Sequence, residues 1–274
     1  MDLLQAAVLG VVQGLTEFLP ISSSGHLRIV PAFVGWDDPG AAFTAIIQLG
    51  TMAAVVLFFR ADLIRIARTW LASLRDSSRR RELDARLGWY LILATIPISI
   101  FGLAFTDQIE NGARDLYLIG VMLIVFGLLL LVAEKVSQRQ RDLSNISGRD
   151  ALVVGFAQAL ALIPGVSRSG ATITAGLFLG FDRVAAARFS FLLSIPAVVL
   201  SGLFELRGVI DGSVEGAVGV APTVVATVLA FVSGYASIAF LLRFLTTHST
   251  AVFVAYRVAL GAAVLALAGG GVIS

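Results

Sequence analysis

Two stretches of this sequence concentrate side chains that do chemistry. The first, Gln13-Gly-Leu-Thr-Glu17-Phe-Leu-Pro-Ile-Ser22-Ser23-Ser24-Gly-His26, carries a carboxylate, three consecutive hydroxyls and one of only 2 His residues. The second, Pro164-Gly-Val-Ser167-Arg168-Ser169-Gly-Ala-Thr172, sets a guanidinium between two hydroxyls. Arginine's planar fork binds two phosphate oxygens at once. Each stretch reads as a Ser-rich turn opening a helix, over 26–35 and 171–180. Helix N-termini present free N–H groups and about half a positive charge. Two such ends, with Arg168 as a fixed cation and Ser22, Ser24, Ser167 and Ser169 as donors, predict an anion site. Thr172 adds a further donor or is an ordinary helix-interior threonine.

A carboxylate beside an anion site needs a reason. Glu17 lies one helical turn after Gln13, so the two share a face. Glu17 suits a general base or a ligand to magnesium or calcium, which take hard oxygen donors. One carboxylate and one amide make a thin metal site unless a substrate's phosphates supply the remaining ligands, as is usual for magnesium. Ser23 or His26 is placed to attack phosphorus, or His26 to protonate a leaving oxygen; the residues leave that choice open. The plainer alternative is that Arg168 and Glu17 only pair with each other. His248, within Thr246-Thr247-His248-Ser249-Thr250, reads as a loop residue, and Asp37 and Asp38 as a solvated loop.

These polar residues sit in a very apolar chain. Of 274 residues, 58% are hydrophobic and 14% charged, against about 45–50% and 25% in soluble domains, and the mean hydropathy is +0.92. A soluble enzyme and a disordered chain are excluded, because too few polar side chains exist to cover a water-facing surface. There are no Cys residues, so disulfide, thiolate and zinc–thiolate chemistry is excluded. The net charge of +2 comes with Arg in blocks, which reports topology rather than nucleic-acid binding. Asp2 stands where a signal peptide would carry basic residues.

A spanning helix needs about 20 mostly apolar residues. Six candidates meet this: 41–59, 87–106, 116–133, 189–204, 216–242 and 258–274, the last extending back past Arg257. Two further apolar regions, 3–36 and 151–181, are broken by the motifs above. Irregular polar backbone at membrane depth survives only under protein or against water, so both regions are expected to be re-entrant helix hairpins. Arg-rich 60–87 (its block 75–86 a topogenic loop touching anionic lipid heads), 135–149 and 243–250 are expected in the cytoplasm; 107–115 and 205–217 are expected outside, with both termini.

The hairpins are related. At an ungapped offset of 145, Gln13 meets Gln158, Leu15 meets Leu160, Ser22 meets Ser167, Ser24 meets Ser169 and Gly25 meets Gly170. Three spans separate the copies, and an odd number inverts the second. The expectation is an all-α polytopic membrane protein: one membrane domain over 1–274, built from an inverted-topology repeat of about 1–135 and 148–274. An Arg at the bilayer centre costs about 2.5–3.5 kcal/mol, which argues for a functional site where the hairpins meet.

Both motifs together resemble the signatures of the bacitracin-resistance undecaprenyl-diphosphate phosphatases, and the resemblance extends over essentially the whole chain in length, hydropathy and motif positions. It implies a multi-pass phosphatase of the bacterial inner membrane, its site opening to the periplasm. Such an enzyme converts undecaprenyl diphosphate to the monophosphate carrier for peptidoglycan, with a divalent cation. Carried over, Glu17 assists metal binding or activation, Ser23 is the candidate nucleophile with His26 as alternative, and Arg168 binds the diphosphate. Ser167, Ser169 and Thr172 line the site. Gln13 stands where the family often has Glu, which leaves more of the metal to substrate oxygens. The partners so implied are a prenyl diphosphate lipid and membrane lipids, with a homodimer left open. The competing class is a lipid or anion transporter or flippase using the same anion site, since inverted repeats with broken helices often serve transport.

Overall fold

The computed structural model describes residues 1–106, 115–210 and 219–273. Among them eleven α-helices and no β-strand occur. They are α1 (Leu3–Phe18), α2 (Ser23–Val34), α3 (Gly40–Phe58), α4 (Arg60–Arg75), α5 (Leu83–Ala104), α6 (Leu116–Val136), α7 (Gly148–Ala159), α8 (Arg168–Phe178), α9 (Arg183–Ile210), α10 (Val220–Phe244) and α11 (Ala251–Gly269). Five of them, α5, α6, α9, α10 and α11, are long and apolar enough to cross a membrane; a sixth span is reached if α3 and α4 count as one bent pair. Of the loops expected outside, 107–114 and 211–217 lie outside the described residues.

Segment 60–87 corrects the sequence reading. It is helical: α4 leaves α3 at 73°, a short 3₁₀ turn follows at Ser77–Arg81, and α5 begins at Leu83. Arginine is a good helix former, so a dense Arg block does not by itself break a helix. Asp62 sits in the first turn of α4 and Arg75 in its last, both favourable to the helix dipole.

Proline stops the chain's helical course into both motif loops, directly after α1 and, at the second loop, after a 3₁₀ turn at Leu160–Leu162 that follows α7. The residue before a proline is pushed out of the α region. Leu19 before Pro20 (φ −67°, ψ 143°) and Ile163 before Pro164 (φ −82°, ψ 122°) are accordingly extended. The chain then turns back through Ser22 and Ser167. These are two of the three described non-glycine residues at positive φ, 75° and 72°. Each caps the next helix, Ser22 Oγ accepting from the Gly25 amide at 3.4 Å and Ser167 Oγ from the Gly170 amide at 3.1 Å. The helices therefore start at Ser23 and Arg168, three residues earlier than the sequence reading, because the first serine of each run is the N-cap.

The entry helices pack alike. A Cβ on Gly10 of α1 would lie 2.3 Å from the Ala226 carbonyl oxygen of α10; one on Gly155 of α7 would lie 2.5 Å from the Ala94 carbonyl oxygen of α5. The two glycines stand at the same offset of 145 as the motifs. Small residues at such crossings let apolar helices approach to backbone contact. Phe18, at the end of α1, packs edge-on to Phe191 of α9 with ring centroids 5.4 Å apart, which fixes the turn carrying Glu17. Buried Glu134 at the end of α6 takes Arg183 at the start of α9 and the Thr250 hydroxyl before α11 (2.8 Å), tying three helix ends together.

Candidate active site

The loops after α1 and α7 meet, although far apart in sequence. Arg168 Nη2 donates to Glu17 Oε1 at 2.7 Å, both side chains largely enclosed at 14% and 7% exposure. The other carboxylate oxygen, Oε2, accepts from Ser23 Oγ at 2.6 Å and from Gln13 Nε2 at 3.2 Å. Ser169 Oγ donates to the Leu19 carbonyl at 2.9 Å, a second bond from loop to loop. Glu17, Ser23, Arg168, Gln13 and Ser169 thus form one cluster.

The other expected residues divide by role. The Ser22 and Ser167 hydroxyls serve as caps and also contact Ser24 and Ser169, at 3.3 and 3.2 Å. Ser24 is exposed. Thr172 makes no bond to Glu17; its hydroxyl meets Ser190 of α9 at 2.6 Å and its own helix's Arg168 carbonyl at 2.8 Å. Buried His26 has both ring nitrogens engaged: Nδ1 lies 2.7 Å from the Ser22 carbonyl and Nε2 2.7 Å from the Tyr256 hydroxyl. A carbonyl only accepts, so Nδ1 carries the proton, and in the neutral ring Nε2 accepts from Tyr256. The Tyr256 and His26 rings also stack.

One central group escaped the sequence reading. Arg257 of α11 is fully buried and donates to five backbone carbonyls. These are Leu123 (3.1 Å) and Met122 (3.3 Å) on α6, Pro20 (3.2 Å) in the first loop, and Gly165 and Val166 (both 3.0 Å) in the second. It clamps the two loops to each other and leaves a fixed positive charge beside them. A Cβ on Gly170 would lie 2.7 Å from Arg257 Nη1, so only glycine admits the guanidinium so close to the start of α8. The signal in the sequence was a single Arg inside the apolar run 251–274; an ionisable residue within a span is a functional candidate by default. Tyr256 carried no such signal.

Several polar atoms here are buried without a partner among the described residues: Gln13 Oε1, Arg168 Nη1, and both amide atoms of Gln158. Such atoms cost about 1–3 kcal/mol each. Arg168 Nη1 is a donor and Gln13 Oε1 a hard oxygen acceptor, so the cluster retains capacity for both an anion and a hard cation. Among the described residues no group of three His, Cys, Asp or Glu side chains is arranged to hold a metal.

Fold and site together define a multi-pass helical membrane protein whose polar centre is suited to a phosphate-bearing ligand. Residues 6–263 match the family described as bacitracin resistance protein BacA. The chain is 57% identical over its full length to a protein named undecaprenyl-diphosphatase from a Nocardioides species, covering 99% of that protein. Proteins of the same name from Thermobifida fusca and Chlorobaculum parvum are 53% and 52% identical, over 100% and 99% of this chain and 93% and 99% of theirs. The chain belongs to the bacitracin resistance protein BacA family.

Proposed function

We propose that this protein hydrolyses undecaprenyl diphosphate to undecaprenyl phosphate and inorganic phosphate, at the junction of the two loops. The observation that carries the reading is the Glu17 carboxylate held between Ser23 and Arg168. An anion-binding site alone has no use for a carboxylate bonded to a hydroxyl; a nucleophile with its base does. Full-length identity to undecaprenyl-diphosphatases favours hydrolysis over transport.

Ser23 is the nucleophile in this account. Its Oγ attacks the terminal phosphorus while its proton passes to Glu17 Oε2. The bond from that phosphorus to the bridging oxygen breaks, and undecaprenyl phosphate leaves, taking the proton from Glu17 and so restoring its carboxylate. Water then attacks the phosphoserine, its proton restores the Ser23 hydroxyl by way of Glu17, and inorganic phosphate departs. Arg168 moves from Glu17 onto the diphosphate, using Nη1 as well, and neutralises charge that builds on the transferring group. Arg257 and the starts of α2 and α8 add positive potential. His26, with both nitrogens engaged, orients the first loop rather than attacking.

Magnesium or calcium fits a hard-oxygen donor set in which Glu17 and Gln13 Oε1 supply the protein ligands and the diphosphate the rest. Such an ion would neutralise phosphate charge.

The architecture we infer has six spans, the sixth supplied by the α3–α4 pair with α3 crossing, and two re-entrant hairpins, α1–α2 and α7–α8. They belong to inverted repeats over about 1–135 and 148–274. The matched caps at Ser22 and Ser167 and the matched crossings at Gly10 and Gly155 support this. The setting is the bacterial inner membrane with the site open to the periplasm and both termini on that side. The test is phosphate release from undecaprenyl diphosphate by purified protein, with and without chelator. Release that is lost with chelator and restored by magnesium or calcium is expected; no release under either condition contradicts the reading.

A further inference from the structure

A cavity of about 400 Å³, lined by none of the loop-junction residues, opens between α4, α5, the 142–144 turn and the start of α9. Its wall carries three carboxylates, Asp62, Asp142 and Asp182, and two guanidiniums, Arg65 and Arg188; Leu87 and Leu192 contribute to an apolar floor. Some of these charges satisfy each other. Asp62 accepts from Arg65 at 2.8 Å and from Arg188 at 3.0 Å, and Arg65 also reaches Asp84 at 2.7 Å. Asp142 Oδ1 is used by Ser144, and Asp182 Oδ1 by the Ala185 amide. Asp142 also accepts from the Asn145 amide, and Arg65 Nη1, Arg188 Nε and Nη1, and Asp182 Oδ2 take no hydrogen-bond partner among the described residues.

A simple anion entering here meets three carboxylates, and a simple cation meets two guanidiniums. A molecule bearing both charges on a short spacer matches both sets. The setting of α4 fits a lipid as well. Since α4 leaves α3 at 73°, α4 runs near the membrane plane if α3 crosses it. Its outer face mixes exposed Arg60, Arg68 and Arg75 with exposed Ile64, Leu71 and Leu74, as an interfacial helix does.

We infer that this cavity binds the head group of an amine-bearing zwitterionic phospholipid. The phosphate lies against Arg65 and Arg188, the ammonium against Asp142 and Asp182, and the glycerol end over the apolar floor. A primary ammonium has three N–H donors for the carboxylates; a quaternary ammonium has none, and a glycerol head group lacks the charge. The site stands independently of the proposed reaction.

The test is native mass spectrometry of the purified full chain in detergent, titrated separately with phosphatidylethanolamine, phosphatidylcholine and phosphatidylglycerol. Phosphatidylethanolamine is expected to bind at least about fivefold more tightly than either other lipid, and Arg188→Gln or Asp142→Asn to weaken it about tenfold. The thermal unfolding midpoint reports folding. If Arg188→Gln is lost to misfolding through its Asp62 contact, Asp142→Asn decides the matter. Equal binding of the three lipids, or wild-type affinity in a folded variant, overturns the inference. So does displacement of the lipid by equimolar soluble phosphoethanolamine.

Discussion

Arg168 and Glu17 stand 151 residues apart in the chain and 2.7 Å apart in space. Their contact joins the last turn of α1 to the start of α8. In the ligand-free site the pair neutralises two enclosed charges. With a diphosphate bound, Arg168 has a better partner and Glu17 is freed to take the Ser23 proton. The ion pair is the resting state of the machinery on this account, and structural and chemical roles coincide in it.

Ser23→Ala removes the nucleophile and one hydrogen bond to Glu17. Phosphate release should fall at least about 10³-fold, in line with losses of activated nucleophiles, with little change in the unfolding midpoint. Steady-state phosphate assays with parallel thermal unfolding check this. His26→Gln should retain far more activity than Ser23→Ala, because His26 orients the loop.

Arg168→Lys keeps the charge but loses the planar fork. The expected result is a rise in KM with a fall in kcat, measured on undecaprenyl diphosphate in detergent. Arg168→Ala should also destabilise the fold by about 3–5 kcal/mol, since it leaves the enclosed Glu17 charge uncompensated; Glu17→Gln in the same chain should recover much of that.

Arg257→Met strips five carbonyls of a buried donor, so stability and turnover should fall together. Tyr256→Phe is the finer probe. It leaves His26 Nε2 without its 2.7 Å partner, and turnover should drop about 5- to 30-fold, as for one lost buried hydrogen bond of about 1–2 kcal/mol, with the fold intact.

If the two halves are built alike, Gly10→Ala and Gly155→Ala should behave alike. Each sets a methyl within 2.5 Å of a backbone carbonyl oxygen, and each should cost about 1–3 kcal/mol by unfolding in detergent. A large cost at one and none at the other would break the equivalence.

Much of the site was legible in the sequence, for a physical reason. Glu17, Ser23, His26 and Arg168 are expensive inside apolar segments, so their types and positions announce themselves. Pro20 marked the end of α1 and Pro164 the end of the 3₁₀ turn after α7, and the offset of 145 linked the loops. What escaped was of two kinds. Arg257 works through backbone carbonyls on three elements, and no residue type marks a carbonyl as a partner. The starts of α2 and α8 were misplaced because a serine run does not say which serine caps; that depends on Ser22 and Ser167 adopting positive φ. The 73° turn between α3 and α4 was hidden because it falls between Phe58 and Arg60, with neither proline nor glycine to mark it.

The most direct measurement of the central claim is phosphate release by the double variant Glu17→Gln/Arg168→Gln, compared with wild type at matched folding. Removing both charges together leaves no unpaired ion, so the unfolding midpoint should stay close to wild type. The account predicts that phosphate release from undecaprenyl diphosphate falls to background. A folded double variant that turns over near the wild-type rate would contradict it.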